Sequence, residues 1–114
     1  MESCIFCEII KGNIPCNKVY DDDHVLAFDD IHPMAPVHVL VIPKVHISTL
    51  MDLSMEHVDI LLALGKAVQR IARKKCVSES GFRTVINCNE EGGQVVPHLH
   101  VHLLGGVRLK DELG

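Results

Sequence analysis

The hydrophobic pattern is sharpest between Pro97 and Leu104, where His98, His100 and His102 alternate with Leu99, Val101 and Leu103. A period of two belongs to a half-buried strand. Successive histidines then leave one face about 7 Å apart, and the three aliphatic residues anchor the other face in a core. Four further segments read as strands: Lys18–Tyr20, Val25–Phe28, the apolar run His38–Ile42, and Phe82–Asn87. Pro43 ends the third, and Pro33 and Pro36 force an extended loop before it. A helical period appears twice. Ile5, Phe6, Ile9 and Ile10 predict a short N-terminal helix, ended by Gly12 and Asn13. Val58, Leu61, Leu62, Val68, Ile71 and Ala72 predict a long helix to about Lys75, with Ser54 as its cap and this face on the sheet. Gly65 within it marks a point of close approach.

The Asn89–Gln94 loop joins the last two strands into a hairpin, which sets Asn87, Gly92 and Gly93 beside the histidines. The expected fold is α+β, one domain over residues 1–114, with an antiparallel five-stranded sheet, one long helix and the short N-terminal helix.

Composition narrows the function classes. A hydrophobic content of 47% argues against disorder, and a net charge of −4 with no basic run argues against a nucleic-acid surface. No apolar run reaches the roughly 18 residues of a membrane span. Glu2 and Cys4 stand where a secretory leader would be basic, and Gly114 covers the retention-like Lys110–Leu113, so cytosol or nucleus is expected. Five cysteines are an odd number for a disulfide framework. Cys4 and Cys7 form a C-x-x-C pair that suits either redox exchange or zinc; Cys16, Cys76 and Cys88 read as packing residues. Arg70, Arg73, Lys74 and Lys75 read as a solvated helix end, favoured by the helix dipole.

A row of imidazoles beside two glycines suits an anionic oxygen cluster such as phosphate. Neutral imidazole attacks phosphorus and also leaves well, so histidine nucleophilic catalysis is one reading. Zinc held by H-x-H and a third histidine is its competitor, weakened by the scarcity of nearby acidic residues to act as general base. A P-loop is excluded because no glycine-rich loop ends in Lys-Ser or Lys-Thr.

The triad His98-x-His100-x-His102 with Gly92-Gly93-Gln94 upstream resembles the histidine triad (HIT) family. So do Cys4–Ile10, Phe28–Pro33 and Ala35–Ile47, in the same order along the chain. The likeness is to the Hint-like branch, small dimeric phosphoramidases acting on esters and amides of purine nucleoside monophosphates. The resemblance implies a HIT-like fold and a homodimer joined through the long helix and an edge strand; charge and hydropathy, as above, give the expectation of no nucleic-acid or membrane partner. The resemblance implies His100 as nucleophile, His102 as a phosphate contact and His38 as a support for the nucleophile. Asp30 would accept the ribose hydroxyls. Asn87, Gly93, Gln94 and Val95 would lie on the phosphate side. Ile5, Phe6, Ile9, Phe28, Ile31 and Leu40 would form the purine slot. Some branches hold a structural zinc, at positions that correspond here to Cys4, Cys7, His46 and His98. Val95 departs from the pattern, because many members carry Ser or Thr there. Enzyme and nucleotide-binding regulatory protein both remain open, since both need the same pocket.

Overall fold

The computed structural model describes residues 4–111; Glu2 and the end of the retention-like run lie outside the described residues. Helix α1 spans Ile5–Ile10 and the long helix α2 spans Val58–Lys74. The strands are β1 (Lys18–Asp21), β2 (Val25–Asp29), β3 (Val37–Pro43), β4 (Phe82–Val85) and β5 (Val101–Gly105). They form one antiparallel sheet in the order β1-β2-β3-β5-β4. Strands β3 and β5 are therefore central neighbours, with Leu40 opposite His102 and His38 opposite Leu104. That register, not chain proximity, brings His38 to the triad.

Strand alternation sorts the core into two layers. Val25, Ala27, Val39, Val41, Leu99, Val101 and Leu103 pack with α2 on one face. Leu26, Phe28, Leu40 and Ile42 pack with Phe6 of α1 on the other. His98, His100 and His102 take the alternate positions, so they leave the α2 layer for the α1 side. The expected split of the alternating segment thus holds in full.

Several expectations are corrected. Strand β5 begins at Val101, three residues after His98. Residues 98–100 keep the alternation, but Leu99 N–H donates to Ile47 O at 2.6 Å, outside the sheet ladder. Strand β4 stops at Val85, short of Asn87. Ser54 caps a 3-10 turn, Met55–His57, that runs into α2, and His57 Nδ1 accepts Ser54 N–H at 3.0 Å. The face of α2 is rotated from the expected one. Ile60, Ala63, Leu64, Ala67, Ile71 and Ala72 are buried, whereas Val58, Leu61 and Leu62 are exposed. Alanines let the helix axis approach the sheet, so the buried stripe is the smaller-residue one and size alone misleads. Gly65 approaches nothing: a Cβ there would meet no atom within 4 Å. Cys76 is exposed in a left-handed turn (φ 61°) rather than packed, while Cys16 packs in the α1-side cluster. The basic helix end is partly tied down: Lys74 Nζ donates to Val19 O at 2.7 Å, and Lys75 pairs with Asp29 at 3.2 Å.

Candidate active site and metal cluster

Each triad histidine has one ring nitrogen committed to a neighbour. His100 Nδ1 donates to the carbonyl of His98 at 2.7 Å. In a neutral ring the proton is then on Nδ1, and Nε2 carries a free lone pair. His98 is fully buried, and its Nε2 donates to Pro43 O at 2.9 Å, which leaves Nδ1 bare. Adjacent rings in the row thus leave different nitrogens free, Nδ1 on His98 and Nε2 on His100.

The bare Nδ1 of His98 faces a cluster. It lies 3.3 Å from Cys4 Sγ, 3.6 Å from Cys7 Sγ and 3.2 Å from His46 Nδ1. Cys7 Sγ is 3.3 Å from His46 Nδ1. Zinc–sulfur and zinc–nitrogen bonds of ordinary length give tetrahedron edges of about 3.3–3.8 Å. The four groups match that set closely and can hold a metal. The outer partners also fit: Pro43 O orients His98, and Ser48 Oγ lies 3.2 Å from His46 Nε2. Two thiolates and two imidazoles fill a tetrahedron and leave no position for a reacting water. The C-x-x-C pair at the start of α1 could therefore share one ion with His46 and His98. Burial pushes the Cys7 thiol up, and neighbouring Cys4 adds to this, so a cation is what would favour the thiolates.

Helix α1 connects this cluster to the nucleophile candidate. Phe6 meets His100 edge-on at 5.2 Å between ring centroids, His98 at 5.8 Å and Phe28 at 5.7 Å. Phe6, Phe28 and Leu40 share one buried cluster, with Ile9 against it. Ile5 and Ile31, expected in the same slot, are 50% and 82% exposed and are not part of this buried cluster.

On the other flank, His38 faces His102 rather than His100. His38 Nε2 lies 3.0 Å from His102 Nδ1 and 3.4 Å from Asp30 Oδ2. The second Asp30 oxygen accepts His32 N–H at 2.8 Å. Burial lowers the His38 pKa, with Asp30 opposing. Burial, then the nearby His100 and His38, pushes His102 down to about 4. Burial also lowers His98, against the Pro43 hydrogen bond.

The expected phosphate-side residues build a rigid loop. Asn87 Nδ2 donates to Gly92 O at 2.8 Å. Gln94 Nε2 donates to Ser48 O at 2.7 Å and to Val96 O at 3.0 Å, while its Oε1 accepts Asn89 N–H at 2.9 Å. The Gln94 amide is thus spent on the loop itself. A Cβ at Gly92 would collide with the Cys88 carbonyl oxygen, and Gly93 has φ 80°, so both glycines are required by the turn. Val95 is 88% exposed at the end of this loop. Sequence reasoning missed the backbone contributors: Pro43 O, His98 O and the Met34 N–H, which donates to His38 Nδ1 at 3.0 Å; no side-chain pattern reports them. Ser48 was also missed; its position two residues past His46 is a faint signal.

Sheet order, the histidine row and His38 on neighbouring β3 define a histidine-triad architecture. The HIT domain model matches residues 11–109. The chain is 46% identical over 105 residues to the purine nucleoside phosphoramidase of Escherichia coli K12, covering 92% of this chain and 88% of that one. A HIT family hydrolase from Legionella pneumophila Philadelphia 1 superposes with a TM-score of 0.95 at 42% identity, covering 98% of this chain and all of that one. A histidine triad protein from Clostridium difficile gives 0.92 at 45%, over 99% of this chain and 100% of its own. The chain belongs to the HIT family.

Proposed function

We propose that this protein hydrolyses purine nucleoside phosphoramidates, or related nucleoside monophosphate conjugates, through a nucleotidyl-histidine. The observation that carries the reading is the Nδ1–H bond from His100 to His98 O, which in the neutral ring puts the lone pair on Nε2, the atom that would attack phosphorus. In the first step a P–N or P–O bond to the leaving group breaks as the His100–phosphorus bond forms, and the departing group takes up a proton. In the second, water adds to phosphorus, His100 departs and the nucleoside monophosphate is released. Similarity to the Escherichia coli phosphoramidase supports the substrate class.

The other roles follow the same reading. His102 contacts the phosphoryl oxygens. His38 supports the site through His102, its neighbour on β5. Asp30 accepts the ribose hydroxyls. Phe6, Ile9, Phe28 and Leu40 wall the purine, with Ile5 and Ile31 at the mouth. Asn87, Gly93, Gln94 and Val95 shape the phosphate side, Gln94 by bracing the loop. A structural zinc on Cys4, Cys7, His46 and His98 supplies cross-linking only; the residues themselves keep α1 and Phe6 against His100. Residues 1–114 act as one cytoplasmic domain. It pairs with a second copy through the β4 edge and the exposed Val58, Leu61 and Leu62. Light scattering should give twice 12.6 kDa at micromolar concentration; a monomer would refute the pairing.

The activity is tested by turnover of an adenosine phosphoramidate by wild type and His100→Ala, alongside AMP binding. Wild-type turnover with none in the variant supports the reading. Wild-type protein that binds AMP without turnover would favour a nucleotide-binding regulatory protein, and wild-type turnover by His100→Ala would end the covalent mechanism.

A further inference from the structure

The Asp30, His38 and His102 side chains form a compact row, with one ligand-type atom from each within 4.8 Å of the others. A carboxylate and two imidazoles in line have the look of a proton relay or a second metal site. A backbone contact rules differently. Met34 N–H donates to His38 Nδ1 at 3.0 Å. An amide N–H cannot reverse its role, so Nδ1 must be the bare nitrogen of His38. The ring proton is then on Nε2, which points to His102 Nδ1 at 3.0 Å. His102 must accept there, and its own proton is driven onto Nε2. Protonating His38 would set a ring N–H against the Met34 N–H, and binding a metal at Nε2 would displace the proton to the same blocked nitrogen. The row therefore transmits a fixed hydrogen-bond direction and carries no proton.

We propose that His38 is a positioning residue that locks His102 in the tautomer that accepts at Nδ1 and presents Nε2–H as a donor toward the phosphoryl group. This rests on the nucleotide-hydrolase reading above for its consequence, though not for its geometry. His100 and His102, with ring centroids 5.0 Å apart, then present complementary atoms: a lone pair on His100 Nε2 and an N–H on His102 Nε2. One meets phosphorus and the other an oxygen bound to it. The groups facing His38 are Asp30, His102 and the Met34 amide. Asp30, with its second oxygen on His32 N–H, stays an acceptor for the ribose and has no share in proton transfer. The rigidity of the device comes from the Pro33–Pro36 loop, which fixes the Met34 amide just ahead of β3.

Two substitutions separate a fixed donor from a proton carrier. His38→Gln places an amide N–H within reach of His102 Nδ1 but cannot shuttle a proton; His38→Leu fills the space and donates nothing. Neither replaces Nδ1, so both lose the Met34 bond, and their Tm values should fall alike. Activity should not. We expect kcat for an adenosine phosphoramidate to stay within about 3-fold of wild type in His38→Gln and to fall about 10-fold in His38→Leu, with KM little changed, the loss expected when one neutral hydrogen bond no longer selects the tautomer. Nitrogen-15 shifts of the histidine rings read the same claim without substrate. Wild type and His38→Gln should show His102 protonated at Nε2, and His38→Leu a mixture. His102 protonated at Nδ1 in wild type, or His38→Gln as inactive as His38→Leu with Tm values alike, would overturn the proposal. Absence of wild-type turnover would remove the nucleotide-hydrolase reading and leave the tautomer assignment to be decided by the ring shifts.

Discussion

Phe6→Ala should be the most damaging single truncation of α1. The ring is 6% exposed and makes edge contacts with Phe28, His98 and His100. Emptying a buried Phe site costs about 3–5 kcal/mol. Helix α1 is six residues long and has only one wholly buried side chain, so it can partly collapse into the space, and the low end, about 3 kcal/mol, applies. With an unfolding entropy of about 2.1 cal/mol/K per residue, a chain of 114 residues loses about 4 °C of Tm per kcal/mol, hence about 12 °C. Phe6→Leu keeps most of the apolar area and forfeits the edge contacts, worth about 1 kcal/mol or about 4 °C. Differential scanning calorimetry on both variants, metal-loaded, measures the pair. A loss under about 3 °C for Phe6→Ala would mean that α1 does not brace the histidine row, and the link from cluster to nucleophile would fall.

Three further outcomes are expected. Protein purified without chelator should carry one zinc per chain by metal analysis, and Cys4→Ser should release it and lower Tm; metal-free wild type of unchanged Tm would contradict this. In metal-free protein, Tm should fall as pH drops from about 6.5 toward 4. His102 stays neutral in the fold down to about 4 while its unfolded form charges near 6.5. The unfolded state then binds more protons, and His38 acts in the same direction; a flat Tm over that window would refute it. Val95→Ser restores a hydroxyl at an exposed position and should raise kcat/KM about 10-fold for an alkylamine phosphoramidate, with little change for an aryl leaving group. No gain on either substrate would mean that another group already protonates the leaving atom, and equal gains on both that the hydroxyl does not act on that atom.

The strands and the faces of the histidine row were legible because alternation survives even where ladder bonding stops, as at His98–His100. The α2 face was not, because Ala63 and Ala67 bury less area than Leu61 and Leu62 yet fit closer to the sheet. The metal cluster was legible only through family likeness: the separation of Cys7 from His98 along the chain gives no spacing rule, and the sheet order brings them together. Gln94 was placed on the phosphate side by family likeness alone; the bonds of its amide to Ser48, Val96 and Asn89 involve backbone atoms that no side-chain pattern reports. The tautomers of His98, His100 and His38 depend on backbone atoms of Pro43, His98 and Met34, to which side-chain patterns are blind.

The central claim is that His100 Nε2 becomes bonded to phosphorus. Rapid-quench of wild type in turnover with an adenosine phosphoramidate, held at alkaline pH to preserve the phosphorus–nitrogen bond and followed by peptide mass mapping, tests it directly. One adenylyl group on the peptide containing His98–His102, assigned to His100 by fragmentation and absent from His100→Ala, is the predicted result. Steady turnover with no adduct at any quench time, together with inversion of configuration at a chiral phosphorus, would show a single displacement by water and contradict the account.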